Sequence, residues 1–274
     1  MFRPASGICL SLLVLTVVRP ASADTRGDLA RARAAYNDGR YAAAIAAGSA
    51  IPATAQETDA ARLVIGRAHL EQFRHTQDPG DLAAARDAFQ ALHPANLSAH
   101  DRLQLLVGLG ESLYLDGLFG PAGDLFGAAL LDPGPFGPGE HDRLLDWWAT
   151  AIDREAQQQA ADRRAPLYRR MAAQMREVRR QDPASGVAAY WVVEADRGAG
   201  DLDAAWNAAI AYWVRAPLMG SRAATLRPDL DRLTIDAIIP ERARQLAPAP
   251  NDVADVAADL RAEWEVVKKQ WGGP

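Results

Sequence analysis

The sequence predicts an all-α chain, and three observations carry that prediction. Roughly a fifth of the 274 residues are alanine and nearly all basic charge is arginine, with Lys268 and Lys269 the only lysines, so strong helix formers dominate. Apolar residues recur three and four positions apart along most of the chain, the spacing of one helix face. No alternating run of useful length marks a strand. Helices must then bury their stripes against one another.

The N-terminus is read separately. An apolar run over residues 7–18 follows Arg3 and precedes Ala21-Ser22-Ala23, a small-x-small pattern, which predicts a secretory signal peptide over 1–23 cleaved after Ala23. The apolar core, about a dozen residues, is short of the ~20 a spanning helix needs, so no membrane span is expected after cleavage. Retention as an uncleaved anchor is the alternative. Cys9 is the only cysteine and lies in this segment, so the mature chain would hold no thiol for a disulfide, a zinc site or a nucleophile. The formal charge of −5 becomes −7 without residues 1–23, which carry Arg3 and Arg19 and no acid. That balance argues against a nucleic-acid binder, whose binding face is basic.

From Asp24 to Ala50 the pattern predicts two short helices broken at Asn37-Asp38-Gly39 and closed by Pro52. A second pair is expected over 56–73 and 81–92, joined by a longer link at residues 75–80 and ended by Pro94. The third starts at Ser98, a natural N-cap, carries Leu103, Leu106, Leu109, Leu113 and Tyr114, turns at Asp116-Gly117 and runs to Leu131. Ser98 also completes an Asn96-Leu97-Ser98 sequon, a pattern common by chance. Residues 132–139 hold three prolines and three glycines, the clearest break. Beyond it, longer helices are predicted over 142–159 and 166–180, then a pair over 185–196 and 202–215 around Gly198-Ala199-Gly200. Pro217, Gly220, Pro228 and Pro240 should cut the next stretch into short helices before a terminal helix over 252–271.

A short helical pair cannot bury its apolar face alone, so a repeat is the natural organisation. In the third pair, Leu109-Gly110, Leu113, Gly117, Phe119, Ala122, Phe126 and Ala129 resemble the tetratricopeptide pattern in identity and spacing, with Pro133 near the expected proline. Gly110 and Ala122 are the small residues at which its two helices would approach closely, and Gly117 supplies the turn. The first pair matches through Ala32, Gly39, Tyr41 and Ala44, and the second through Gly66, Leu82, Ala85 and Phe89 with an insertion at 75–79. A later match falls on Gly200, Leu202, Ala205 and Tyr212. The resemblance implies stacked antiparallel hairpins in a right-handed superhelix over 24–133. A less regular helical continuation over 139–274 would include a similar pair at 187–215 and a C-terminal helix. A generic helical bundle is the competing architecture.

The resemblance further implies a concave groove lined by the first helix of each pair, which binds a partner peptide. Carried onto this chain, the groove would present Arg33, Tyr36, Asn37, Arg67, Glu71, Glu111, Tyr114, Tyr190, Glu194 and Arg197. Such a polar and aromatic set suits an extended or helical segment, and a solvated face laced with salt bridges is the plain alternative. Seven tryptophans stand out. Trp147 and Trp148 lie ~100° apart on a helix and cannot both enter one core stripe, whereas Trp206 and Trp213 share a side, as do Trp264 and Trp271, which should staple the last helix to the body. The five histidines lack the pairing of a helical zinc site, and no phosphate loop or serine elbow is present. Neither a cofactor nor a metal is expected. The reading is a non-catalytic scaffold of a bacterial envelope, periplasmic or secreted, that binds another envelope protein or peptide. The alternatives are a glycan or small-molecule binder using exposed tryptophan, or a helical cell-wall hydrolase with two converging acids.

Overall fold

The computed structural model describes residues 24–131 and 136–272. The signal-peptide segment with Cys9 lies outside these, as do residues 132–135 of the expected break. Every regular element among the described residues is helical, so the chain is all-α. The helices are α1 Thr25–Asn37, α2 Tyr41–Ser49, α3 Thr58–Thr76, α4 Pro79–Gln90, α5 Ala99–Leu115, α6 Phe119–Leu130, α7 Pro138–Gln158, α8 Ala161–Gln181, α9 Gly186–Gly198, α10 Leu202–Arg215, α11 Leu226–Leu233, α12 Ile239–Leu246 and α13 Val253–Trp271. Side-chain caps begin several of them: Asp24, Asp78, Ser98, Ser185 and Asp201 each accept from a backbone N–H of the first turn.

Three hairpins, α1–α2, α5–α6 and α9–α10, close with one and the same turn. Gly39, Gly117 and Gly200 sit at φ of 73°, 76° and 84°, a region that only glycine enters without strain. Their N–H groups donate to Tyr36, Tyr114 and Arg197, and the next N–H reaches five residues back to Ala35, Leu113 and Asp196. This pair of bonds satisfies carbonyls that a helix end leaves orphaned. The α3–α4 and α7–α8 hairpins lack it. There α3 continues to Thr76, Gln77 takes the left-handed conformation at φ 58°, and Asp78 with Pro79 opens α4.

Each helix from α1 to α11 packs on the next and α12 packs on α13; α1–α3–α5 and α7–α9–α11 also touch, so the odd helices line up in two runs of three. The apolar interior follows chain order in four successive clusters, from Ala32, Ala44 and Ala68 at one end to Trp206, Leu230 and Trp264 at the other. Small residues set the spacing. A Cβ on Gly110 would stand 2.6 Å from Cε1 of Phe126, one on Gly198 would stand 2.6 Å from the Tyr168 ring, and one on Gly66 would collide with Phe89. Ala122 is fully buried, and the ring of Phe126 fills the space that Gly110 leaves.

The helix ends differ from the sequence pattern in two informative places. Helix α8 begins five residues before Pro166; the residue whose carbonyl loses its donor to the proline, Asp162, is exposed, a position where water can take the missing donor's place. Pro228 and Pro240 do not cut the chain as expected. α11 passes into a π-turn over Thr234–Ile238 and on into α12, with the N–H of Ile239 donating five residues back to Thr234. The widened turn accommodates the imide of Pro240, which has no N–H to give. Among the tryptophans, Trp148 is buried and Trp147 is only partly so, while Trp206 and Trp213 enclose the fully buried Trp264 with centroids 6.0 and 5.3 Å away. Trp271 is 57% exposed, so its indole does not staple α13. Arg227 holds that end instead, donating to the carbonyls of Trp271 and Gly272 at 2.9 and 2.6 Å.

Candidate functional site

The odd helices carry their polar and aromatic residues on one face because their other face is committed to the even helices and the core. Three cavities lie along it. The first, about 190 Å³, is bounded by Arg33, Tyr36 and Asn37 on α1, Arg67 on α3, and His100, Asp101 and Gln104 on α5. Arg33 donates to both oxygens of Asp101 at 2.9 and 3.0 Å, tying α1 to α5, and Asp101 also accepts from Ser98 Oγ. Arg67 lies over the ring of Tyr36 at 4.6 Å. Burial pushes the Tyr36 hydroxyl up to about 12 despite the nearby Arg67.

The second cavity, about 340 Å³, is formed where α3, α5 and α7 meet, with Arg74, Glu111, Tyr114, Phe126, Asp146 and Trp147 among its walls. Arg74 is paired twice: Nη1 donates to Glu71 at 2.9 Å and Nη2 stands 3.3 Å from Oε2 of Glu111, while the guanidinium lies over Trp147 at 5.3 Å. Glu111 is 7% exposed, and burial pushes its carboxyl up to about 7 against the attraction of Arg74 and Arg67. Asp146 is also raised by burial, opposed by the indole N–H of Trp191, which donates to Oδ1 at 2.7 Å.

The third cavity, about 570 Å³, lies between α7, α9 and α11 and is lined by Tyr190, Asp146, Arg143, Arg222 and Asp229 among others. Asp146 is common to the second and third. Arg222 bridges Asp142 at 2.7 Å and Asp182 at 2.6 Å, and Asp142 in turn accepts from Ser185 Oγ. Those pairs, made through Nε and Nη1, tie α7 to the loop before α9, while Nη2 of Arg222 is buried without a hydrogen-bond partner among the described residues.

The structure therefore brings Arg33, Tyr36, Asn37 and Arg67 together, joins Glu111 and Tyr114 in the next cavity, and sets Tyr190 in the third. Glu71 stands behind Arg74. Glu194 and Arg197 lie elsewhere. They pair with each other, Nε to Oε2 at 2.9 Å, and Arg197 reaches Glu241 on α12 at 2.7 Å, so they form an internal clasp. Sequence reasoning missed Arg74 as a site residue and did not place Trp147 or Asp146 there. The available signal was the longer link at 75–80, which marks the extension of α3 that carries Arg74 over α5. Among the described residues no group of three or more histidine or carboxylate side chains has the arrangement of a metal site, and no helix is long and apolar enough to cross a membrane. The chain matches no protein-family model, no curated protein and no solved structure.

Proposed function

We propose that the protein is an exported binding scaffold of the cell envelope that captures a segment of another envelope protein along the face of its odd helices. One observation carries the reading: three cavities run in series on that face, walled by arginine, tyrosine, tryptophan and buried carboxylate. Aromatic and arginine side chains in preformed recesses are the usual anchors of a recognition surface, and a rigid stack of hairpins orders the partner without reordering itself. The tetratricopeptide-like architecture belongs to the same proposal. It is supported by the common turn at Gly39, Gly117 and Gly200 and by the pairing of Gly110 with Phe126.

Export rests on the leader-like segment at 1–23, and catalysis has no part in the reading. Crosslinking in the native envelope, with recovery on the tagged wild type and on Tyr114→Ala and Arg67→Ala, tests the groove. Loss of the captured partner from both variants is expected, and unchanged recovery overturns the proposal. Fractionation tests the address: mature protein found only in the cytosol defeats it.

A further inference from the structure

The cavity between α3, α5 and α7 carries more than a place on a groove. Its walls join aromatic faces, Tyr114, Phe126 and Trp147, to two carboxylates, Glu111 and Asp146. Each carboxylate has one oxygen engaged, by Arg74 and by Trp191, and the other oxygen receives no side-chain donor among the described residues. The one cation in the lining, Arg74, is already shared between Glu71 and Glu111. Arg67 lines the neighbouring cavity over Tyr36. Counting both arginines, the surroundings hold three carboxylates against two guanidiniums.

We propose that this cavity is a cation subsite, taking the basic side chain of a lysine or arginine presented by the bound segment between Glu111, Asp146 and the aromatic walls. The inference deepens the groove reading and rests on it. Charge complementarity selects this occupant. An anion would meet Glu111 and Asp146 in a lining whose one guanidinium is already shared between Glu71 and Glu111, and a neutral apolar group would cover the open oxygen of each carboxylate without supplying a donor. A side-chain cation satisfies the open oxygens and gains attraction from the ring faces.

A proton plays the cation's part while the cavity is without one. Glu111 titrates at about 7 in surroundings set by Arg67, Glu71 and Arg74 on α3, Tyr36 on α1, Tyr114 on its own helix and Asp146 across the cavity on α7. Entry of a basic side chain displaces that proton, so binding strengthens as pH rises through neutrality.

The test follows the Trp147 indole N–H by NMR in the mature protein, its resonance identified by Trp147→Phe. The probes are the Nα-acetyl methylamides of lysine, arginine, norleucine and glutamate. The lysine and arginine probes should bind at least about tenfold more tightly than norleucine, and about tenfold more tightly at pH 8 than at pH 6. Glu111→Gln should remove the pH dependence. Asp146→Asn should weaken the basic probes while keeping it, which preserves the test if the first variant folds poorly. Equal binding of norleucine, preference for the glutamate probe, or no response to any probe at about 20 mM overturns the subsite. Those outcomes leave the groove standing if Tyr114→Ala still loses the envelope partner. A response to lysine with partner capture unchanged in the groove variants would instead remove the groove reading.

Discussion

Glu111 and Glu194 occupy the same place in two hairpins and behave differently. Each lies six residues before its turn glycine, Gly117 or Gly200, and each is 7% exposed. Glu194 is gripped by Arg197 three residues on, which is itself held by Glu241 of α12. At the corresponding place after Glu111 stands Tyr114, and the carboxylate meets only Arg74, reaching over from α3 at 3.3 Å. Burial raises both carboxyls, carrying Glu111 to about 7, and the two bonds from Arg197 oppose the rise at Glu194. Equal depth and equal position thus yield a closed clasp in one hairpin and an open, titrating cavity in the other. The partner decides, not the burial.

The largest effect expected is in the clasp. Arg197→Ala leaves Glu194 buried without its cation and should cost about 3–5 kcal/mol in urea unfolding at pH 8. The loss should shrink as the pH is lowered, because burial raises the Glu194 carboxyl and a proton then takes the place of the missing cation. A cost near zero would mean that the clasp is not what separates the two sites.

Next is the pH profile of stability. The folded-state value for Glu111, about 7, lies above its ordinary 4.5, so the folded chain holds this proton more tightly than the unfolded one. Its contribution is full below about pH 4.5 and is lost as pH rises to about 7, a fall of roughly 2–4 kcal/mol. Other carboxyls that desolvation raises, the partly buried Asp146 and the buried Glu194 and Asp196, slope the same way, so the difference between wild type and Glu111→Gln isolates the contribution of Glu111. Parallel profiles for the two proteins would contradict it.

Tyr114→Arg sharpens the comparison by giving Glu111 the neighbour that Glu194 has. Carboxyl titration by NMR should then show Glu111 lowered by at least about one unit, equivalent to about 1.4 kcal/mol. The smallest effect belongs to the half-exposed Arg33, whose pair with Asp101 is open to water. Arg33→Ala should cost less than about 1 kcal/mol in thermal unfolding, and less still in high salt.

Much of the fold was legible because it is written locally. The period of Leu103, Leu106, Leu109 and Leu113 announces α5, Ser98 caps it, and glycine after Asn37-Asp38 or Asp116 ends a helix by backbone conformation alone. The all-α class and the hairpin order needed nothing else. Where local rules failed, a neighbour outweighed them: Pro240 stays helical because the π-turn at Thr234–Ile238 makes room for it, and the chain end is secured by Arg227 through the carbonyls of Trp271 and Gly272 while the Trp271 indole stays exposed.

The candidate site was legible as a face but not as a set of pairs. Placing Arg33, Arg67, Glu111 and Tyr190 on the first helices of their hairpins needs only the helical period and the turns between helices. Knowing that Arg74 comes to Glu111 across 37 positions, and Glu241 to Arg197 across 44, needs the stacked chain. Helix period and glycine turns are short-range consequences of backbone sterics, and so they can be read along the chain. Whether a buried carboxylate is clasped, or left to share a cavity and a proton, depends on charges brought close by folding, and those distances exist only in three dimensions.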